Sequence, residues 1–230
     1  MKKRIIASGL IGFVLTFSIG MIIRHHQNPA LKLARELEGK KGVAAAMALA
    51  DLGRRAEPAV PALIKALHSN DEALRLNAAL ALGKIGRPAV QPLLPLLGSP
   101  DTQLRYYALA ALGWIGPDAK SALPAVNWLL GHSNPEVRGK ALHTLTLIAD
   151  DPQEAIGPLI RSLGDSDRDV HSVAYEGLLK LGPPAVPTLA AALDTKNQLA
   201  PSTMRQLLNE IDPNGQIRRS LTQSPEIPSR

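Results

Sequence analysis

Aliphatic side chains recur along this chain in steps of four, four and three residues. They fall at Leu74, Ala78, Leu82 and Ile85, at Leu104, Ala108, Leu112 and Ile115, at Val137, Ala141, Leu145 and Ile148, and at Val170, Ala174, Leu178 and Leu181. That spacing keeps one face of an α-helix apolar. It predicts first helices near 42–53, 71–85, 101–115, 135–148 and 167–181. Each ends in a small-residue turn, at Gly53, Gly86, Gly116, Ala149 and Gly182, with separations of 33, 30, 33 and 33 residues. Second helices are expected near 56–67, 88–97, 119–130, 152–163 and 184–193, with prolines such as Pro61, Pro124 and Pro187 near their starts. Proline is tolerated there because the first turn has no internal partner for its N–H groups. Self-similarity at this period predicts a stacked array, in which each helix pair relies on its neighbours for burial.

The period fails at both ends. Before it, Asn28-Pro29 reads as a cap and first helical position, opening a capping helix that runs to about Gly39. Residues 1–27 hold an uncharged run, Ile5 to Ile23, between Lys2-Lys3-Arg4 and Arg24. Nineteen residues at helical rise reach about 28 Å, near the thickness of bilayer hydrocarbon. A transmembrane anchor is therefore expected, with a cleaved signal segment and a secreted form as the alternative. The short basic head places the array on the extracytoplasmic (periplasmic) side. Ser8, Gly12, Thr16 and Gly20 form a small-residue stripe that could pair two spans into a homodimer. After the array (28–198), a C-terminal capping helix is expected over 199–212, started by Ser202, followed by a disordered tail over 213–230.

The copies "DEALRLNAALALGKIGRPAVQPLLPLL", "DTQLRYYALAALGWIGPDAKSALPAVNWLL" and "DRDVHSVAYEGLLKLGPPAVPTLAAAL" resemble the HEAT-repeat family, in particular the short bacterial HEAT-like repeat of the phycobilisome-lyase type. The resemblance covers about residues 42–197. It implies an all-α fold, an α-α superhelix of about five helix pairs, here preceded by one transmembrane helix. It further implies a right-handed superhelix with the second helices on the concave side. Asp71, Asp101, Asn134 and Asp167 stand at successive helix starts, with Arg75, Arg105, Arg138 and His171 four residues on. Helix-end logic makes these caps and i, i+4 pairs, and the resemblance implies a structural ladder between repeats.

Charge and chemistry narrow the function. Formal net charge is +6, yet residues 54–200 carry 14 basic and 14 acidic side chains. The neutral array argues against a phosphate-tracking groove, so nucleic acid is an unfavoured partner. There is no cysteine. The histidines at 25, 26, 68, 132, 143 and 171 form no i, i+4 pair and have no carboxylate set beside them, so no metal site is expected. Nucleophile motifs and phosphate loops are also missing. No catalytic residue and no cofactor is assigned.

Outside the N-terminal run the aromatics are Tyr106, Tyr107, Trp114, Trp128 and Tyr175, four of them within 101–130. Aligned with its sisters, Trp114 takes the place of Asp51, Lys84, Leu147 and Lys180, and Trp128 that of Lys65, Pro95, Arg161 and Ala191. Tyr107, seven residues before Trp114, falls on the same outward stripe. Tyr107, Trp114, Trp128 and Leu147 are thus the candidate partner-binding residues. The reading is a membrane-anchored, non-enzymatic HEAT-like scaffold for protein–protein interaction. A chromophore-binding or lyase activity of the phycobilisome-lyase kind, and nucleic-acid binding, are the alternatives.

Overall fold

A computed structural model describes residues 28–194 and 200–222, all of whose regular elements are helical. They fall into two compact units that divide after Ala89. In the first, α1 (Pro29–Glu36) is capped by Asn28, whose Oδ1 accepts the Ala30 N–H at 3.0 Å. It packs on α2 (Gly42–Leu52), and α2 packs in turn on α4 (Glu72–Ile85), with α3 (Val60–Ala66) against α4. Leu49, Leu63, Leu67, Leu82 and Ile85 are fully enclosed. Small residues set the spacing, since a Cβ at Gly42 would lie 2.5 Å from the Leu37 carbonyl oxygen.

The second unit starts with the short α5 (Val90–Leu93) and continues through α6 (Thr102–Ile115), α7 (Leu123–Leu129), α8 (Pro135–Ile148) and α9 (Pro152–Ser162). It ends with α10 (Arg168–Leu181), α11 (Val186–Leu193), α12 (Pro201–Ile211) and α13 (Gln216–Thr222). α6, α8 and α10 pack side by side, while α7 and α9 lie against α8 and α10. Leu109, Leu112, Leu129, Leu142, Leu145 and Ile148 fill the core between them.

The turns explain a departure from the sequence pattern. Gly53, Gly86, Gly116 and Gly182 adopt φ between +54° and +82° with ψ between −132° and −144°, a region open to glycine alone. From each of them the chain enters a 3-10 stretch (Gly53–Ala59, Arg87–Ala89, Gly116–Ala122, Pro183–Ala185) before the second helix becomes α-helical. The second helices therefore begin as 3-10 rather than α. Ala149 cannot take that conformation and sits at φ −65°, ψ 120°. There the second helix starts directly as α9, with Asp151 Oδ1 accepting the Gln153 N–H at 2.9 Å.

The termini bring further corrections. α12 starts one residue before Ser202, after Ala200 in the left-handed region at φ 49°. The tail expected to be disordered from 213 instead carries α13. Asp212, 4% exposed, accepts the Arg218 N–H at 3.1 Å, and the Arg218 side chain returns to the same carboxylate at 3.3 Å. Backbone and side-chain bonds from Arg218 hold the Asp212 carboxyl below its ordinary value despite its burial.

The expected placement as a single-pass membrane protein with an extracytoplasmic array is overturned. No helix among the described residues is long and apolar enough to cross a membrane. The longest described helices have 14 residues, and at helical rise such a helix reaches only about 21 Å. The 5–23 segment and its Ser8, Gly12, Thr16, Gly20 stripe lie outside the described residues, as do 223–230.

Candidate protein-binding surface

The helix starts are built by a double cap. Asp71 accepts the Leu74 N–H at 3.2 Å, Asp101 those of Gln103 (2.8 Å) and Leu104 (3.3 Å), Asn134 that of Glu136 (2.8 Å), and Asp167 those of Asp169 (3.0 Å) and Val170 (3.2 Å). Each capping residue then donates its own N–H two residues back, to Ser69 (3.1 Å), Ser99 (3.1 Å), His132 (3.0 Å) or Asp165 (2.9 Å).

Two of those outer residues, His132 and Asp165, also receive the arginine of the preceding repeat. Arg138 makes a two-pronged bond to Asp165, Nε to Oδ2 at 2.8 Å and Nη2 to Oδ1 at 2.6 Å. Its Nη1 donates to the His132 carbonyl at 2.9 Å. These bonds hold the Asp165 carboxyl below its ordinary value and raise the arginine's. Arg105, 7% exposed, instead meets the His132 Nε2 through Nη1 and Thr102 Oγ1 at 3.3 Å, leaving its buried Nε without a partner. Arg75 donates to the Ser69 carbonyl at 2.8 Å, and the His171 ring Nδ1 to the Leu163 carbonyl at 2.7 Å. The cross-links thus run from Arg105 and Arg138 to loop residues 27 positions ahead, rather than back to Asp101 and Asn134. The reason is geometric. The capping oxygens are engaged by amides of their own first turn, whereas the loop of the next repeat lies beside the arginine.

The aromatic surface needs one correction. Tyr107 is 3% exposed and Tyr106 is 45% exposed. Tyr106 stands at the surface, its ring in T-shaped contact with Tyr107 at 5.5 Å and under the Lys140 ammonium at 4.4 Å. α6 is buried on nine of its fourteen residues, because α8 and the 3-10 stretches Leu94–Gly98 and Gly116–Ala122 pack on it, so its exposed sector is narrow. Gln103, Tyr106 and Trp114 occupy that sector. Trp114 is 45% exposed. Leu147 is half-buried over Gly113, where an added Cβ would lie 3.0 Å from its Cδ1. Trp128, on α7, is 72% exposed. It belongs to the second-helix side, where its neighbours Asn127 and Leu130 border a groove with Pro158 and Arg161 that Trp128 itself does not line. Trp114 and Trp128 thus sit on helices of different layers and do not form one stacked pair among the described residues.

Polar groups around these rings are arranged for solvation and pairing. Lys120 bridges Glu154 (3.2 Å) and Asp150 (3.8 Å), and these carboxylates raise its pKa. Burial, reinforced by Lys140 and Lys180, pushes the His143 pKa below its ordinary value. Among the described residues, no three His, Cys, Asp or Glu side chains come together as a metal site would require.

A family model described as HEAT repeats matches residues 29–99, 90–153 and 132–209. The chain belongs to the HEAT-repeat family. No curated protein matches it. Among solved structures, this HEAT-repeat protein is similar to a designed armadillo repeat protein in complex with the peptide (KR)4, at 17% identity over 81% of this chain and 100% of that one, TM-score 0.48. A computationally designed armadillo repeat protein for modular peptide recognition aligns at 18% identity over 79% and 99%, TM-score 0.47. An archaeal HEAT-like repeat protein from Thermococcus onnurineus NA1 aligns at 14% identity over 86% and 91%, TM-score 0.44.

Proposed function

We propose that this HEAT-repeat array is a protein-binding scaffold with no chemistry of its own, engaging partners through Tyr106, Trp114, Leu147 and Trp128. The observation that carries the reading is Trp128, 72% exposed on a helix whose Val126 and Leu129 are fully buried. The core closes without that ring, so packing gives no reason for it. Large exposed aromatics are the side chains most enriched at binding hot spots. Tyr107 contributes by holding Tyr106 edge-on and is a supporting residue in this account.

The test replaces Trp128 with a photo-crosslinking amino acid in the native host, with exposed Glu57 as the control position. A discrete protein adduct at 128 that is absent at 57 and outcompeted by excess wild-type protein is the expected result. Equal labelling at both positions, or none at 128 and at Trp114, refutes the reading.

A further inference from the structure

Between α8 and α10 the exposed side of the second unit opens into a cleft of about 490 Å³. It exists because Gly139 stands where the sister repeat places Tyr106, so one side chain is left out of the row. A Cβ at Gly139 would meet only the Val170 Cγ2, at 3.8 Å, an ordinary contact. Val170, Val173 and the Tyr106 ring form its apolar part, His143 and Asp167 also line it, and Glu136 and Asp169 stand at the rim. Among the described residues neither carboxylate takes part in an ion pair. Lys140, the cation on this border, is already placed over the Tyr106 ring at 4.4 Å. The first amides of α10 do not offer an anion site, because Asp167 Oδ1 occupies the Asp169 and Val170 N–H groups.

We propose that this cleft receives a lysine or arginine side chain of a bound polypeptide. The proposal deepens the protein-binding reading and rests on it. A long cationic side chain pairs an aliphatic stem with a charged head. The stem matches Gly139, Val170 and Val173, and the head reaches Glu136 and Asp169 at the rim. An anionic side chain would meet like charge at the same place, and a short apolar one would leave both carboxylates unmatched.

The experiment uses the full-length protein and a fluorescein-labelled peptide of alternating arginine and serine, read by anisotropy at about 150 mM salt, where diffuse surface attraction is screened beyond roughly 8 Å. A peptide of alternating glutamate and serine is the counterpart. The arginine peptide is expected to bind. Gly139→Leu, which fills the cleft without changing charge, is expected to weaken it about tenfold, and Glu136→Gln with Asp169→Asn by a similar factor. Val173→Trp fills the same space from the opposite wall and replaces the first variant should that one lose its helical circular dichroism. Unchanged binding in the filled variants, tighter binding of the glutamate peptide, or no binding of the arginine peptide overturns the proposal. Adducts at Trp128 that persist alongside any of those outcomes leave the scaffold function standing and remove only this cleft from it.

Discussion

Replacing His132 with aspartate is expected to stabilise the protein, and the two neighbouring arginine sites supply the reason. Arg138 is satisfied by a carboxylate two residues before the next cap, with both partners well shielded, at 15% and 13% side-chain exposure. Arg105 faces an imidazole in the equivalent place. A neutral imidazole has one acceptor nitrogen, so it cannot serve both the Asn134 N–H and the guanidinium. The buried Arg105 Nε is left without a partner. An unsatisfied buried donor costs about 1–3 kcal/mol, and a charge-assisted bond contributes about 1.5–3. Desolvating the new carboxylate offsets part of this. A net gain of about 1–2 kcal/mol is expected for His132→Asp, which in a chain of this size raises Tm by roughly 2–8 °C. Thermal unfolding at pH 7, followed by circular dichroism, reads it directly. His132→Asn, which keeps a side-chain acceptor for the Asn134 N–H without the charge, should give a smaller gain. The effect should disappear in an Arg105→Met background, as coupled partners require. An unchanged or lower Tm for His132→Asp, or an equal gain without Arg105, would refute the reasoning.

Other perturbations follow from the same structure. Asp165→Asn breaks the shielded pair with Arg138 and should cost about 2–4 kcal/mol at pH 7 in chemical denaturation. Because the Asp165 carboxyl lies below its ordinary value of 3.8, its stabilisation is fully present above that pH and fades as pH falls through the folded value. The acid limb of the stability curve should therefore be shallower in Asp165→Asn than in the wild type. Gly42→Ala pushes a Cβ to 2.5 Å from the Leu37 carbonyl oxygen, a backbone atom that cannot give way, and should cost about 3 kcal/mol. Trp128→Ala should leave stability within about 0.5 kcal/mol of wild type while abolishing adduct formation from Trp114; a larger loss would mean that the ring packs.

Much of this was legible in the sequence, for reasons that also mark the limits. The caps at Asp71, Asp101, Asn134 and Asp167 could be read because capping is local: donor and acceptor lie within three residues. The destinations of Arg105 and Arg138 could not, since they are 27 residues ahead and depend on how repeats stack. A signal existed in the serine, serine, histidine, aspartate series at 69, 99, 132 and 165, each two residues before a cap. Tyr107 was placed outward because seven residues return a helix to within about 20° of the same direction. On a helix with nine of fourteen residues buried that residual angle decides burial, and it favours Tyr106 as the exposed ring. The 3-10 lead-ins were announced by the turn glycines and withheld where Ala149 replaces one. What a periodicity argument lacks is the backbone conformation of a single residue at the hinge.

The serine, histidine and aspartate outer caps can also be viewed as couplings of unequal strength in a line of springs. In repeat proteins each unit is held chiefly by its nearest neighbours, so loading or heating opens the line at its softest junction. Of the two junctions bridged by arginine and a ring or carboxylate, the one closed by His132 is the softer and the one closed by Asp165 the stiffer. Heating should therefore break the Arg105–His132 link before the Arg138–Asp165 pair, while Thr144 Oγ1, donating to the buried Leu109 carbonyl at 3.1 Å, still ties α8 to α6. A partner gripping Tyr106 would be pulling beside the link that yields first.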